Sequence, residues 1–227
     1  MDITIVGLGA VGSTVTALVN REVQHSVINI MDPNPHIHGR YLDLAHAASI
    51  ENNTLQINNE QSFNDAQIIF YCAGIRNAKE ASRSSVVQQN KRLVKKVFSR
   101  AQFTRQPLII NLVNPVEAIA LWIHNYVSDS ATVTATGTGL DSYRLRYLIH
   151  DFYNVPIDEI EALVVGEHGT EMIPVFSQMK IEKEKAKERL NTDDQQNLKN
   201  ALINTAKTIR ATEKATKYGV ADTAVKI

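Results

Sequence analysis

Between an apolar run at residues 3 to 6 and a helical pattern from residue 10 stands the hexad Gly7-Leu8-Gly9-Ala10-Val11-Gly12. Alone, G-x-G-x-x-G is a weak signal. Here it follows a strand and opens a helix whose Val11, Val15, Leu18 and Val19 fall at helical spacing. Asp32 lies twenty residues beyond Gly12, at the end of the next strand-like run, residues 26 to 31. That order requires two parallel strands joined by a crossover helix, the context of a dinucleotide-binding turn. The first glycine permits the tight turn, the second lets backbone approach a pyrophosphate, and the third lets helix pack closely on strand. The helix N-terminus adds amide donors and a favourable dipole for phosphate. Asp32 would accept hydrogen bonds from ribose hydroxyls and repel a 2′-phosphate, which favours NAD over NADP.

The rest of the first 140 residues repeats the alternation. A helical stretch runs from about 36 to 48, a buried strand spans 67 to 72, and a helix of about 84 to 100 has Val86, Leu93, Val94 and Val97 on one face. Residues 107 to 113 are strand-like, 116 to 126 helical, and 131 to 136 β-rich. Strands alternating with helices of this length predict a doubly wound, mostly parallel sheet of Rossmann type, covered on both faces. After about residue 140 the character changes. A helix of about 141 to 153 leads to a strand ending in Gly166-Glu167-His168-Gly169. The mixed charge run 180 to 189 reads as a solvated hairpin or helix edge. A long polar helix from about residue 192 carries Leu198, Leu202, Thr205 and Ile209 on one face. The expected organisation is a nucleotide domain over 1–140 and a second, α+β domain over 141–227.

Composition narrows the partners. Lys plus Arg total 24, Asp plus Glu total 24, and 44% of the 227 residues are hydrophobic. A balanced charge argues against nucleic acid and anionic membrane as partners. The basic positions Lys91, Arg92, Lys95, Lys96 and Arg100 read as a solvated helix face. No apolar stretch approaches the roughly 18 residues of a membrane span, and the N-terminus shows no basic region of a signal peptide. The single cysteine, Cys72, lies in an apolar run, which suits a small core residue in a reducing cytoplasm.

Four further segments, in order, carry chemistry: residues 73 to 83 (AGIRNAKEASR), 114 to 117 (NPVE), 137 to 147 (GTGLDSYRLRY) and 166 to 169 (GEHG). With the glycine turn and residues 39 to 47 (GRYLDLAHA), they resemble the lactate/malate dehydrogenase family of NAD-dependent L-2-hydroxy acid dehydrogenases across essentially the whole chain. Asp141 and His168 are 27 residues apart, as in that family. The resemblance implies that His168 exchanges a proton with the C2 oxygen of a small 2-oxo or 2-hydroxy acid. A histidine suits that task, because its ordinary pKa lies near neutrality. Asp141 would orient the imidazole, Arg144 would clamp the substrate carboxylate, and Arg83 would polarise the carbonyl. Asn114 would sit beside nicotinamide and substrate. Asn77 and Thr216 would contact substrate, with Val220 lining the floor and touching the cofactor. Ala73, Gly74 and Asn90 would join Gly7, Gly9, Ala10, Val11, Gly12 and Asp32 in holding NAD. No metal is implied, and a homo-oligomer is.

Taken singly, these residues have plainer readings. Asp141 could be a helix N-cap, Arg144 and Arg146 surface helix residues, and Arg83 solvated. The chain also departs from the family pattern. Six residues before Arg83, where lactate enzymes usually have glutamine and malate enzymes arginine, stands Asn77, with Arg76 beside it. The usual Pro-Gly of that loop is Lys79-Glu80, Thr170 replaces an aspartate after GEHG, and Glu213-Lys214 replaces Lys-Gly. The family usually runs to roughly 300 residues in two lobes, so its final strands and helix are expected to be absent at Ile227. The expected activity is the lactate/pyruvate type. Malate dehydrogenase and a catalytically impaired dinucleotide-binding remnant remain as alternatives.

Overall fold

A computed structural model describes residues 1–75, 83–213 and 215–227, with the backbone alone for residues 83 and 84. The chain divides into two compact units, Met1–Thr136 with Lys217–Ile227, and Gly137–Thr216.

The first unit contains β1 (Asp2–Val6), α1 (Ala10–Glu22), β2 (Val27–Met31), α2 (His38–Ile50), β3 (Thr54–Ile57), α3 (Glu60–Asn64) and β4 (Ile68–Tyr71). It continues through α4 (Arg83–Phe98), β5 (Leu108–Asn111), α5 (Val116–Val127) and β6 (Thr132–Ala135). The six strands are parallel, in the order β3-β2-β1-β4-β5-β6, so the chain winds outward in both directions from β1 and β4. This is the Rossmann-type doubly wound sheet. Side chains alternate across it. Ile3, Ile5, Phe70 and Ile110 enter one core with Val15 and Val19 of α1. Val6, Ile69, Tyr71 and Ile109 enter the other with Val94, Phe98, Ile119 and Ile123. Burial on both faces is why these strands read as continuous apolar runs rather than alternating ones.

β3 and α3 were not expected from the sequence. Thr54-Leu55-Gln56-Ile57 is an edge strand with no buried residue, so it lacks the apolar run that marks its neighbours. α3 has one buried side chain, Phe63. Lys91, Arg92, Lys95 and Lys96 on α4, and Arg100 just after it, are exposed, with Lys91 Nζ 5.5 Å from the Trp122 ring centre. Cys72 packs against the β1 core, and burial pushes its thiol well up from its ordinary value.

The second unit opens with α6 (Gly139–Tyr153), followed by β7 (Ile160–Glu161), β8 (Val164–Val165) and β9 (Ile173–Pro174). Then come β10 (Lys180–Ile181), β11 (Glu184–Lys185), α7 (Ala186–Arg189) and α8 (Thr192–Thr212). β11, β10 and β7 form one antiparallel sheet, and β8 with β9 another. The charge run forms a hairpin, turning at Glu182 and Lys183 with φ of 51° and 69°, and ends in the short helix α7. α6 and α8 bury Leu145, Ile149, Leu198 and Leu202 in one core with Val164 and Met172. Asn191 and Asp194 close a capping box at the start of α8.

α9 (Tyr218–Val225) packs against α1, placing Ala221 and Ala224 in the core beside Val15. The division falls at Thr136 and Gly137, and the last eleven residues, Lys217–Ile227, return to the first unit. The physical reason is small size. Alanines at 221 and 224 let α9 lie close to the apolar stripe of α1.

Candidate active site

The glycine turn of the first unit has the geometry its spacing demands. Gly7 has φ +92°, and a Cβ there would stand 2.7 Å from Ala73 Cα. A Cβ on Gly12 would lie 1.8 Å from the Gly7 carbonyl oxygen, so α1 meets the turn with no room for a side chain. At Gly9 a Cβ would meet nothing within 4 Å. That position faces open space, with the N-terminus of α1 beside it and no acidic residue in the helix's first turn. Asp32 follows β2 directly. Its Oδ2 accepts from the Leu8 amide at 2.8 Å and its Oδ1 from the Asn34 amide at 3.0 Å. Each carboxylate oxygen has a second lone pair, so acceptor capacity remains for ribose hydroxyls. Arg40 of α2 donates from Nη1 to the Leu8 carbonyl at 2.5 Å. Leu8 is thus held at its amide by an acid and at its carbonyl by a base, a brace that no spacing rule in the sequence announces. An open cradle at Gly9, a helix N-terminus without a side-chain cap and an anchored aspartate fit a dinucleotide.

Beyond β4, Gly74 approaches Val113 so closely that a Cβ would lie 2.6 Å from its Cγ1. Asn90, 1% exposed, spends its side chain on backbone. Its Oδ1 accepts from the Ile75 amide at 2.7 Å, and its Nδ2 lies 3.4 Å from both the Ile75 and Asn114 carbonyls. Asn90 therefore braces the segment after β4 and the Asn114 turn. Asn114 is exposed and precedes a cis peptide bond to Pro115. Buried Asn111 shapes that turn, accepting from the Val113 amide and donating to the Val113 and Val116 carbonyls. Val220 is half-buried on α9 against the first unit's core, and Thr216 lies half-buried in the segment before it. Asn77 and the side chain of Arg83 lie outside the described residues.

In the second unit Asp141, Arg144 and His168 come together. Asp141 is fully buried in the first turn of α6. One oxygen, Oδ2, lies 2.6 Å from His168 Nδ1, and the other, Oδ1, accepts from Arg144 Nη1 at 3.0 Å. The N-cap position of α6 is Thr138, with no side-chain cap, so Asp141 is not the cap it resembled in sequence. Nor is Arg144 a solvated surface residue: its side chain is 10% exposed. Arg146 takes the plainer role, donating to the Ile157 carbonyl at 2.8 Å beside the Tyr143 ring. A buried carboxylate needs a compensating charge, and the guanidinium of Arg144 supplies it. An ionised carboxylate only accepts, so the proton of the short bond sits on His168 Nδ1. Nε2 is then the ring nitrogen that can accept and return a proton. His168 reaches Asp141 from a turn flanked by Gly166 at φ +95° and Gly169 at φ +155°.

Comparison with known proteins identifies the family of both parts of the chain. Residues 1–134 match the model of the lactate/malate dehydrogenase NAD binding domain, and residues 138–227 match the model of that family's alpha/beta C-terminal domain. L-lactate dehydrogenase A of Rhizopus oryzae is 34% identical over 172 residues, covering 74% of this chain and 53% of that protein. The chain thus spans about half the length of the curated relatives it matches. Among solved structures, the malate dehydrogenase of Cryptosporidium parvum superposes with TM-score 0.86 at 21% identity, covering 99% of this chain and 75% of that one. The lactate dehydrogenase of Eimeria maxima with NADH and oxamate superposes with TM-score 0.82 at 24% identity, covering 99% and 73%. These two likenesses show the fold. Among the described residues no helix is long and apolar enough to cross a membrane. The two matches together cover nearly the whole chain, and the chain belongs to the lactate/malate dehydrogenase family.

Proposed function

We propose that the protein is an NAD-dependent L-2-hydroxy acid dehydrogenase of the lactate/pyruvate type. The observation that carries this reading is the buried Asp141 carboxylate, paired at once to His168 Nδ1 and Arg144 Nη1. Bound NAD supplies the hydride acceptor in one direction and, reduced, the donor in the other. The chain's own residues supply the rest. Asp141 fixes the imidazole and stabilises its protonated form. His168 Nε2 takes the proton of the C2 hydroxyl, or returns it to the C2 oxygen of the 2-oxo acid. Arg144 holds the substrate carboxylate, Arg83 polarises the C2 carbonyl, and Asn114 stands beside nicotinamide and substrate. Thr216 and Val220 line the pocket floor. Gly7, Gly9, Ala10, Val11 and Gly12 cradle the pyrophosphate, with Ala73 and Gly74 beside them, and Asp32 takes the adenosine ribose. Asn90 acts at one remove, through its backbone bonds.

Mixing the protein with NADH and a panel of 2-oxo acids, and following the absorbance of reduced nicotinamide, tests the reading. Turnover supports it; NADH binding without turnover of any 2-oxo acid overturns it in favour of a non-catalytic NAD-binding protein. Asp32 should set cofactor choice by charge repulsion. NADH is expected to bind more tightly than NADPH, and Asp32→Ser to narrow the gap. Equal wild-type affinities in a fluorescence titration contradict the ribose role.

Asn77 carries the choice of substrate. Oxaloacetate brings a second carboxylate, and an unpaired buried charge is costly. Asparagine provides no cation, so pyruvate or a slightly longer 2-oxo acid is expected to exceed oxaloacetate in kcat/KM. Asn77→Arg should shift preference toward oxaloacetate by about 1–3 kcal/mol, the scale of one pocket contact. Arg76, the neighbouring cation, favours the malate reading instead. If wild type prefers oxaloacetate and Arg76→Ala removes that preference, the lactate assignment fails.

The reading has two further parts. Exposed Leu42 and Ile50 on α2, and Tyr143, Tyr147 and Phe152 on α6, offer apolar area for a homo-oligomer; sedimentation of the purified protein tests this. The single cysteine suits a cytoplasmic location.

A further inference from the structure

We propose that Ser142 is a positioning residue for the proton-transfer pair, setting the distance between Asp141 and His168 by tying β8 to the first turn of α6. Ser142 follows Asp141 on the helix. Its hydroxyl donates to the Thr138 carbonyl one turn back, at 3.1 Å. With the hydrogen committed there, one of the oxygen's two lone pairs accepts from the Val164 amide at 3.0 Å. Val164 is 2% exposed and opens the strand that runs into the His168 turn.

The need for such a tie follows from what else holds that turn. β8 is two residues long and pairs with a β9 of two residues, one of which is Pro174. The strand then breaks at Gly166 and Gly169, whose positive φ values let the chain fold back but do not anchor it. Packing of Val164 against Leu145 and Ile149 is non-directional. The 2.6 Å contact between His168 Nδ1 and Asp141, in contrast, fails with small displacements. Among the described residues, the Ser142 oxygen is a directional contact that connects the two backbones bearing that pair, beside the His168–Asp141 bond itself. Arg144, three residues from Asp141 on α6 itself, does not depend on it.

The inference rests on the dehydrogenase reading for its kinetic test and not for its spectroscopic one. Ser142→Ala is expected to lower kcat roughly 10-fold, since a small misplacement of a reacting group has a large effect on rate. KM for the 2-oxo acid and affinity for NADH should change less than about twofold, and Ser142→Thr should recover most of the rate. In proton NMR the Nδ1–H of wild-type His168, bonded to a carboxylate at 2.6 Å, should resonate far downfield. His168→Asn identifies that signal by removing it. In Ser142→Ala it should move upfield or broaden, and in Ser142→Thr it should return. Ser142→Cys, which keeps the volume and weakens the acceptor, should show a smaller change of the same sign. A folded Ala or Cys variant with the wild-type resonance overturns the proposal, whatever its rate. So does a failure of both variants to fold, which would make the contact a folding element only. If wild type turns over no 2-oxo acid, the functional reading falls, and the resonance alone judges Ser142.

Discussion

His168→Asn is expected to lower turnover by a factor of roughly 100 or more while leaving NADH affinity nearly intact, the scale of a lost general acid and base. Asparagine keeps an N–H for Asp141 Oδ2, so the buried carboxylate retains a donor and the turn between Gly166 and Gly169 keeps its anchor. What disappears is the second ring nitrogen. Substrate binding should also survive, because Arg144 is held by the other oxygen of Asp141. The loss should therefore fall on kcat rather than on KM. Steady-state kinetics with a fluorescence titration of NADH measures both quantities on one preparation. A variant turning over near the wild-type rate removes His168 from the chemistry.

Arg144→Leu should give the opposite pattern. Truncating one partner of a buried, hydrogen-bonded charge pair costs about 2–5 kcal/mol, so kcat/KM should fall roughly 30- to 5,000-fold. KM should carry most of it, because the missing group binds the substrate carboxylate before and during reaction. Part of the effect has a second origin. Asp141 is fully buried, and Arg144 is its compensating cation. Arg144→Lys separates the two. It keeps a positive charge for Asp141 but loses the planar fork that matches a carboxylate at two points. Lysine is expected to restore the protein's melting temperature more fully than its substrate affinity. If Arg144→Leu leaves KM for the 2-oxo acid unchanged, the carboxylate role is lost.

The residues that were legible in the sequence are those whose task imposes a pattern. A strand buried on both faces is largely apolar, and β1, β2, β4 and β5 stood out for that reason, even with Thr4 and Asn29 buried in β1 and β2. A turn that brings a helix within van der Waals contact of a strand must have glycine at Gly7 and Gly12. Asp141, Arg144 and His168 were named through family resemblance, and the structure brings them together within hydrogen-bonding distance. The features that escaped impose no such pattern. β3 is an edge strand with a solvated side, so its side chains are free to be ordinary. Asn90 keeps the same identity whether it touches a cofactor or a backbone amide, and only its 1% exposure and its bond to Ile75 separate the two roles. Ser142 and Arg40 each act through one long-range bond to a main-chain atom, and no local periodicity encodes a partner 22 or 32 residues away.

The return of α9 to the first unit has a consequence for the order in which the molecule assembles. Val15 and Val19 share a core with Ala221 and Ala224, which leave the ribosome roughly 10–40 s later at 5–20 residues per second. Until then α1 is docked on the sheet with one apolar flank bare. The nucleotide unit is thus an N-terminal domain in sequence but not in time, because α9 arrives after residues 137–216 have been made. Contacts of such separation slow folding, since a loop enclosing residues 137–216 must close before they form. The nascent first unit must also keep its exposed flank out of aggregates over that interval.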